Sequence, residues 1–214
     1  MNVARETFAV ESVEEFVKRI AVWFVPNGYF FYVVGHVPTT KDPETVDRKL
    51  AEKYGFAISE WARYRQRQRG HAGIQYVRHG RLFVLLATHG HHLFFAEEPF
   101  KDLRRSPLRA FGYAVSHRRG HAHVRIEREE FARLRRCVQE AALHRSEDAL
   151  SAMLWQLPYD PYAPVRHQYL QILRDVNRAR KTAGLALVPI AAVRLRRAIC
   201  RVRPTITGKD EWGQ

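Results

Sequence analysis

Cysteine is scarce in this chain of 214 residues, with Cys137 and Cys200 the only two. Two thiols build neither a disulfide framework nor a tetrahedral thiolate zinc site, which leaves a single disulfide open without implying one. Long apolar runs are also missing, and none approaches the ~20 residues needed to span a bilayer. The opening MNVARETFAVESVEEF carries acids where a secretory signal carries a basic end and an apolar stretch. The expectation is a soluble, cytoplasmic protein with no membrane partner. There is no internal repeat and no low-complexity segment. The GxxxxGK[ST] loop, HExxH and GxSxG are all absent, as are an RRM aromatic motif, a KH loop and a helix-turn-helix pattern. Carboxylates near the predicted strands are few, with Glu97, Glu98 and Glu127 the nearest. That speaks against a two-metal carboxylate nuclease.

Lysine is the last scarcity, and it points to what is abundant. Of 36 basic residues 29 are Arg and 7 are Lys, against 22 acids, giving a net charge of +14. The surplus is uneven. Residues 1–60 carry a net −2, residues 61–145 a net +11 and residues 146–214 a net +5. Arginine presents a planar fork of donors that matches phosphate and stacks on bases. A basic stretch running through several elements reads as the electrostatic footprint of a nucleic-acid partner.

The pattern predicts an α+β fold, mainly antiparallel sheet in hairpins and a meander with flanking helices, followed by an α-helical C-terminal part. Ser12 and Glu15 form a capping box for a first helix. Ala21–Val25 and Tyr29–Val37 read as a hairpin about Pro26-Asn27-Gly28, its second strand apolar on both faces and so central in a sheet. Asp42, Pro43 and Gly55 delimit a second helix, and a third starts near Ser59. Residues 72–96 read as a meander turning at His79-Gly80 and His89-Gly90, with HHLFFAE as its last strand. FGYAVSH and HAHVRIE form a further hairpin about Arg118-Arg119-Gly120. Later helices carry stripes at Phe131–Ala141, Leu150–Leu157 and Val165–Val176, and Pro189 opens a last basic one. The expected organisation is an α+β domain over 1–127, a basic helical part over 128–203 and a tail over 204–214.

Three features carry candidate chemistry. The helix WARYRQRQR places Arg63, Arg65, Arg67 and Arg69 for phosphate contact. Tyr64 and Trp61 are candidates to stack on unpaired bases, although a buried anchor is the commoner use of a tryptophan and the sequence favours it for Trp61. Arg118 and Arg119 sit at a hairpin tip. Arg166, Arg174, Arg178 and Lys181 lie off the apolar stripe of their helix, and Arg194 and Arg197 share a face of the next. Histidines form the third feature: His89 and His91 at one turn, and His121 and His123 alternating onto one sheet face, where imidazoles can hold a divalent metal.

His-X-His on a strand, followed by a helical tyrosine, resembles the HUH endonucleases of rolling-circle replication and transposition. The resemblance implies a metal pair in His121 and His123 and a nucleophile among Tyr159, Tyr162 and Tyr169. Ala122 stands where that family prefers a bulky apolar residue. The leading expectation is a nucleic-acid-binding protein, RNA favoured over DNA, within a ribonucleoprotein or a mobile-element or defence-type complex. A metal-dependent nuclease or nicking transposase is one alternative. The other is a protein-interaction subunit that docks a larger partner through its C-terminal helices.

Overall fold

The computed structural model describes residues 8–157 and 161–195. They part into two compact units, 8–106 with 119–121, and 107–118 with 122–195. The change from strand-like to helical pattern falls at 127/128. The units divide after Ser106, so a small sheet groups with the helices that follow it. The class is α+β, with eight strands and seven α-helices among the described residues. None of the described helices is long and apolar enough to cross a membrane.

In the first unit Ser12 caps α1 (Val13–Lys18), its Oγ accepting from the Glu15 N–H at 3.1 Å. The strand expected at Ala21–Val25 does not form. The chain continues as a π-helical turn, Arg19–Phe24, and a 3-10 turn, Val25–Asn27, closed by Gly28 at φ 87°. Phe16, Val17, Ile20, Ala21, Phe24 and Val25 are all buried. Their spacing is one continuous helical stripe, and burying it outweighs the strand propensity of AVWFV.

The sheet has the order β1 (Ala9–Val10), β3 (Ile74–His79), β4 (Leu82–Ala87), β2 (Phe31–His36), β5 (Lys101–Asp102). β1 runs parallel to β3, and the other pairs are antiparallel. β2 is internal, as its two apolar faces require. Register sets Ile74 opposite Ala87 and Tyr76 opposite Leu85. These four join Tyr54, Phe56 and Phe94 in one buried cluster. Asp42 caps α2 (Pro43–Tyr54) and Gly55 ends it. The carboxylate of Asp47 on α2 accepts from Nε and Nη2 of Arg78 on β3 at 2.8–3.0 Å, and the Tyr76 hydroxyl donates to it as well. Burial, reinforced by that carboxylate, raises the Tyr76 phenol far above its ordinary range.

The expected strand over 91–97 is replaced by a short helix, α4 (Phe94–Glu97). Its first apolar residues are consecutive rather than alternating, so nothing fixes a two-sided strand. The Phe94 N–H donates to His92 Nδ1 at 3.0 Å, which starts the turn.

β6 (Leu108–Ala110), β7 (Tyr113–Arg118) and β8 (His121–Ile126) form an antiparallel sheet in that order, of which all but His121 belongs to the second unit. Both connections are two-residue turns, Phe111-Gly112 (φ 50° and 77°) and Arg119-Gly120 (φ 49° and 83°). Positive φ at both residues is the hairpin turn that Asn-Gly fits best, and an ordinary side chain at the first position costs ~1–2 kcal/mol. Arg119→Asn is therefore expected to stabilise the protein by about 1 kcal/mol, read as a higher denaturant midpoint at constant m. A midpoint that stays put would show that no backbone strain is held there.

Three helices follow: α5 (Arg128–Ala141), α6 (Glu147–Trp155), capped by Ser146, and α7 (Ala163–Thr182). α7 buries Val165, Tyr169, Ile172, Leu173 and Val176. Its Gln168 amide brackets Ile126, accepting from the N–H at 2.8 Å and donating to the carbonyl at 3.0 Å. Asn177 brackets Val188 in the same way, both bonds at 2.8 Å. The buried Arg180 donates to the carbonyls of Ala142 and Arg145 at 2.8 and 2.9 Å, just past the C-terminus of α5, where positive charge is favoured. Of the helix expected from Pro189 to before Pro204, the described residues 189–195 contain a 3-10 turn, Ile190–Ala192, followed by an extended Val193, and the rest lies outside the described residues. The β-branched Val188, Ile190 and Val193 weaken helix formation here. Arg197, Tyr159, Cys200 and the expected tail lie outside the described residues.

Candidate functional site

The strongest candidate surface is the helix α3 (Glu60–Gln68). Ser59 starts it, with its Oγ accepting from the Ala62 N–H at 3.2 Å. A Schellman motif ends it: Gly70 at φ 82° donates to the Arg67 carbonyl, and His71 donates to that of Gln66. The helix has no apolar stripe to bury. Its inner face is Arg63 and Arg67, whose stems lie over Gly73; a Cβ there would stand 3.4 Å from Arg63 Cγ and 3.5 Å from Arg67 Cδ.

Arg63 is only 9% exposed and donates from Nη2 to the carbonyls of Phe56 and Ile58 at 3.1 and 3.0 Å. This corrects the expectation that all four helix arginines serve phosphates: Arg63 ties α3 to the loop before it. Trp61 requires the opposite correction. Expected as a buried anchor, it is 76% exposed, and Tyr64 is 55% exposed. Their rings meet edge to face at 6.2 Å. Trp61, Tyr64, Arg65 and Gln68 follow at i, i+3, i+4 and i+7, one outer stripe that Arg69 extends. Arg65, Arg67 and Arg69 are exposed and form no salt bridge among the described residues.

A histidine loop abuts the end of this helix. Residues 70–72 and 90–91 pair by backbone, with the His91 N–H donating to Gly70 at 2.9 Å and the Ala72 N–H to His91 at 3.1 Å. Gly90, at φ 140°, makes this approach sterically allowed, because a Cβ there would stand 2.6 Å from the Ala72 nitrogen. His71, His89 and His91 are exposed, and His92 is half-buried. Burial lowers the His92 pKa, and the nearby His71 lowers it further. The neutral ring also fits its Nδ1 acting as acceptor for Phe94.

The remaining predicted residues separate by role. His121 and His123 alternate onto one face of β8, and burial, then Arg118 and Arg125, lower the His123 pKa. His89 and His91 lie in the loop after β4. Among the described residues no group of three or more His, Cys, Asp or Glu is placed to hold a metal ion. Tyr162 and Tyr169 are 7% and 3% exposed, and a hydroxyl so enclosed offers no face to a phosphodiester. Arg118 and Arg119 are exposed at the hairpin tip. Arg166 donates to Pro161 and Arg174 to Leu170, both carbonyls at 3.1 Å. Arg178 lies 3.9 Å from Asp175 with its side chain projecting outward, and Lys181 is exposed. The Arg194 guanidinium stacks over Trp155 at 4.7 Å.

Two exposed arginines that the sequence reading passed over, Arg109 and Arg125, complete the outer face of β6–β8. The signal for Arg125 was present, since it continues the alternation of His121 and His123. No known protein family matches the chain, and no curated protein matches it.

Proposed function

We propose that this chain binds nucleic acid, single-stranded RNA in preference to DNA, by laying unpaired bases on Trp61 and Tyr64 while Arg65 and Arg69 meet the phosphates. It would do so in the cytoplasm, as a subunit of a ribonucleoprotein or of a mobile-element or defence-type complex. The observation that carries this reading is the exposed aromatic pair on the same outer stripe as two exposed arginines that form no salt bridge among the described residues. Stacking on exposed rings is tolerant of sequence, and arginine supplies the salt-dependent part of the affinity.

The test is anisotropy of a labelled oligoribonucleotide, with the matching DNA in parallel, over a salt series. Arg65→Gln/Arg69→Gln is expected to flatten the slope of log K against log salt by about 1.4, from ~0.7 per single-strand phosphate. Arg63→Gln is expected to lower thermal stability and leave the slope unchanged. No binding at low salt, or a slope indifferent to Arg65 and Arg69, sinks the reading.

A second reading, a subunit that docks a protein partner through its C-terminal part, draws on the exposed Trp155, Leu187 and Ile190. It expects a partner to stay bound through gel filtration at high salt.

A further inference from the structure

In the second unit the three-stranded sheet has one apolar and one basic face. Leu108 and Ala110 on β6, Val115 on β7, and Val124 and Ile126 on β8 are buried on the first. Alternation turns the residues between them to the second. Register places Arg109 opposite Ala114, so Arg109, Ala114, Ser116 and Arg118 share that outer face. On β8 the corresponding residues are His121, His123 and Arg125. Burial lowers the His123 pKa first, and Arg118 and Arg125 lower it further, as two strands presenting these groups together would. Arg109, Arg118 and Arg125 are all exposed. Among the described residues the only carboxylate within salt-bridge reach of these three is Glu127, 3.4 Å from Arg109.

A sheet face normally open to water carries mixed polar residues, and stable proteins intersperse both signs of charge. This face carries three arginines, two imidazoles and a hydroxyl, and the one carboxylate in salt-bridge reach of its arginines among the described residues is Glu127 at its edge. Side chains on one face recur every ~6.6 Å along a strand and ~4.8 Å across strands, so the donors form a two-dimensional array rather than one point charge. An array of guanidinium forks with little internal neutralisation matches a chain of phosphodiesters.

We infer that the outer face of β6–β8 is a second, separate phosphodiester-binding surface, built on Arg109, Arg118 and Arg125 with Ser116 and His123 between them. It rests on the reading that the chain binds nucleic acid, and it differs in chemistry from α3. Its outer face carries no Phe, Tyr or Trp, so it holds chiefly backbone and not stacked bases. Its contribution is therefore salt-dependent and indifferent to sequence.

The experiment compares four sets of variants on the full chain with a labelled oligouridylate over a salt series. Arg109→Gln/Arg118→Gln/Arg125→Gln alters the sheet face. Trp61→Ala/Tyr64→Ala alters α3. Lys41→Gln/Arg48→Gln/Lys49→Gln removes the same charge from exposed positions elsewhere. The sheet set is expected to flatten the salt slope by about 2 and to weaken binding about a hundredfold at roughly 0.1 M salt. The charge control is expected to do neither. The sheet set is expected to fold, which circular dichroism melts check, and Arg109→Lys/Arg118→Lys/Arg125→Lys, which keeps the charge, is expected to recover most of the slope.

If the sheet set binds like wild type while the α3 set does not, the second surface is refuted and the α3 reading stands. If the control loses as much as the sheet set, net charge alone is responsible and the inference falls. Vesicles containing phosphatidylserine form the last arm. Loss of vesicle binding in the sheet set with oligouridylate binding intact would make this a lipid surface and overturn the proposal. If wild type binds no oligonucleotide at low salt, both readings fail together.

Discussion

Trp61→Ala/Tyr64→Ala is expected to weaken oligoribonucleotide binding by about a hundredfold or more, with no loss of melting temperature. Each base stacked on an aromatic side chain contributes ~1–3 kcal/mol by alanine substitution, so two rings account for that range. The fold has little reason to respond. Both side chains lie largely in water, and the edge-to-face contact they make with each other is their only aromatic contact among the described residues. The salt slope should hardly move, because no phosphate contact is lost. That separates this pair from Arg65 and Arg69, whose removal changes the slope. A variant that melts early would show that the rings serve the fold. A variant that melts normally and still binds like wild type would remove stacking from the mechanism.

Asp47→Ala is expected to be the most damaging single change to the first unit, at about 3–5 kcal/mol. It strips Arg78 of its bidentate partner and leaves a guanidinium whose side chain is 9% exposed without a counter-charge. The Tyr76 hydroxyl loses its acceptor in the same step. Globular proteins have only ~5–15 kcal/mol in hand, so a melting temperature lower by about 15 °C or more is the readout. Asp47→Leu/Arg78→Leu should be milder than Asp47→Ala, because no uncompensated charge remains buried. If the single and double variants lose equally, the damage comes from packing around α2 and not from the orphaned charge.

Much of the local structure was legible, and the reason is chemical punctuation. Ser12, Asp42, Ser59 and Ser146 each accept from the N–H three residues on, and Gly55 closes α2 in the left-handed conformation, as their positions in the sequence predict. Where punctuation is weak, local pattern does not decide the element. Ala21–Val25 has the composition of a strand. Its membership of a helical stripe shows only when Phe16, Val17 and Ile20 are counted with it. Residues 91–97 are too short and too uniformly apolar for either period to declare itself.

The candidate site was half legible. That α3 is basic could be read directly. That Trp61 faces water follows from its neighbours at i+3, i+4 and i+7, which are Tyr64, Arg65 and Gln68 and leave it no apolar stripe to join. The burial of Arg63 had no such signal. It depends on two carbonyls, those of Phe56 and Ile58, that turn toward it only once the loop before α3 is in place. Ile126 likewise closes onto a residue 42 positions away, which no local pattern announces.

The two amide brackets on α7 have a consequence of their own. Gln168 and Asn177 are nine residues apart, about 180° around the helix by the 3.6-residue period. One therefore grips the end of a strand, and the other grips an irregular segment that belongs to no strand or α-helix. Hydrogen exchange at the Val188 amide should then be slow for a residue in coil, because its proton is released only when the Asn177 bracket opens. The two brackets make α7 the element whose local opening sets solvent access for backbone on both its sides.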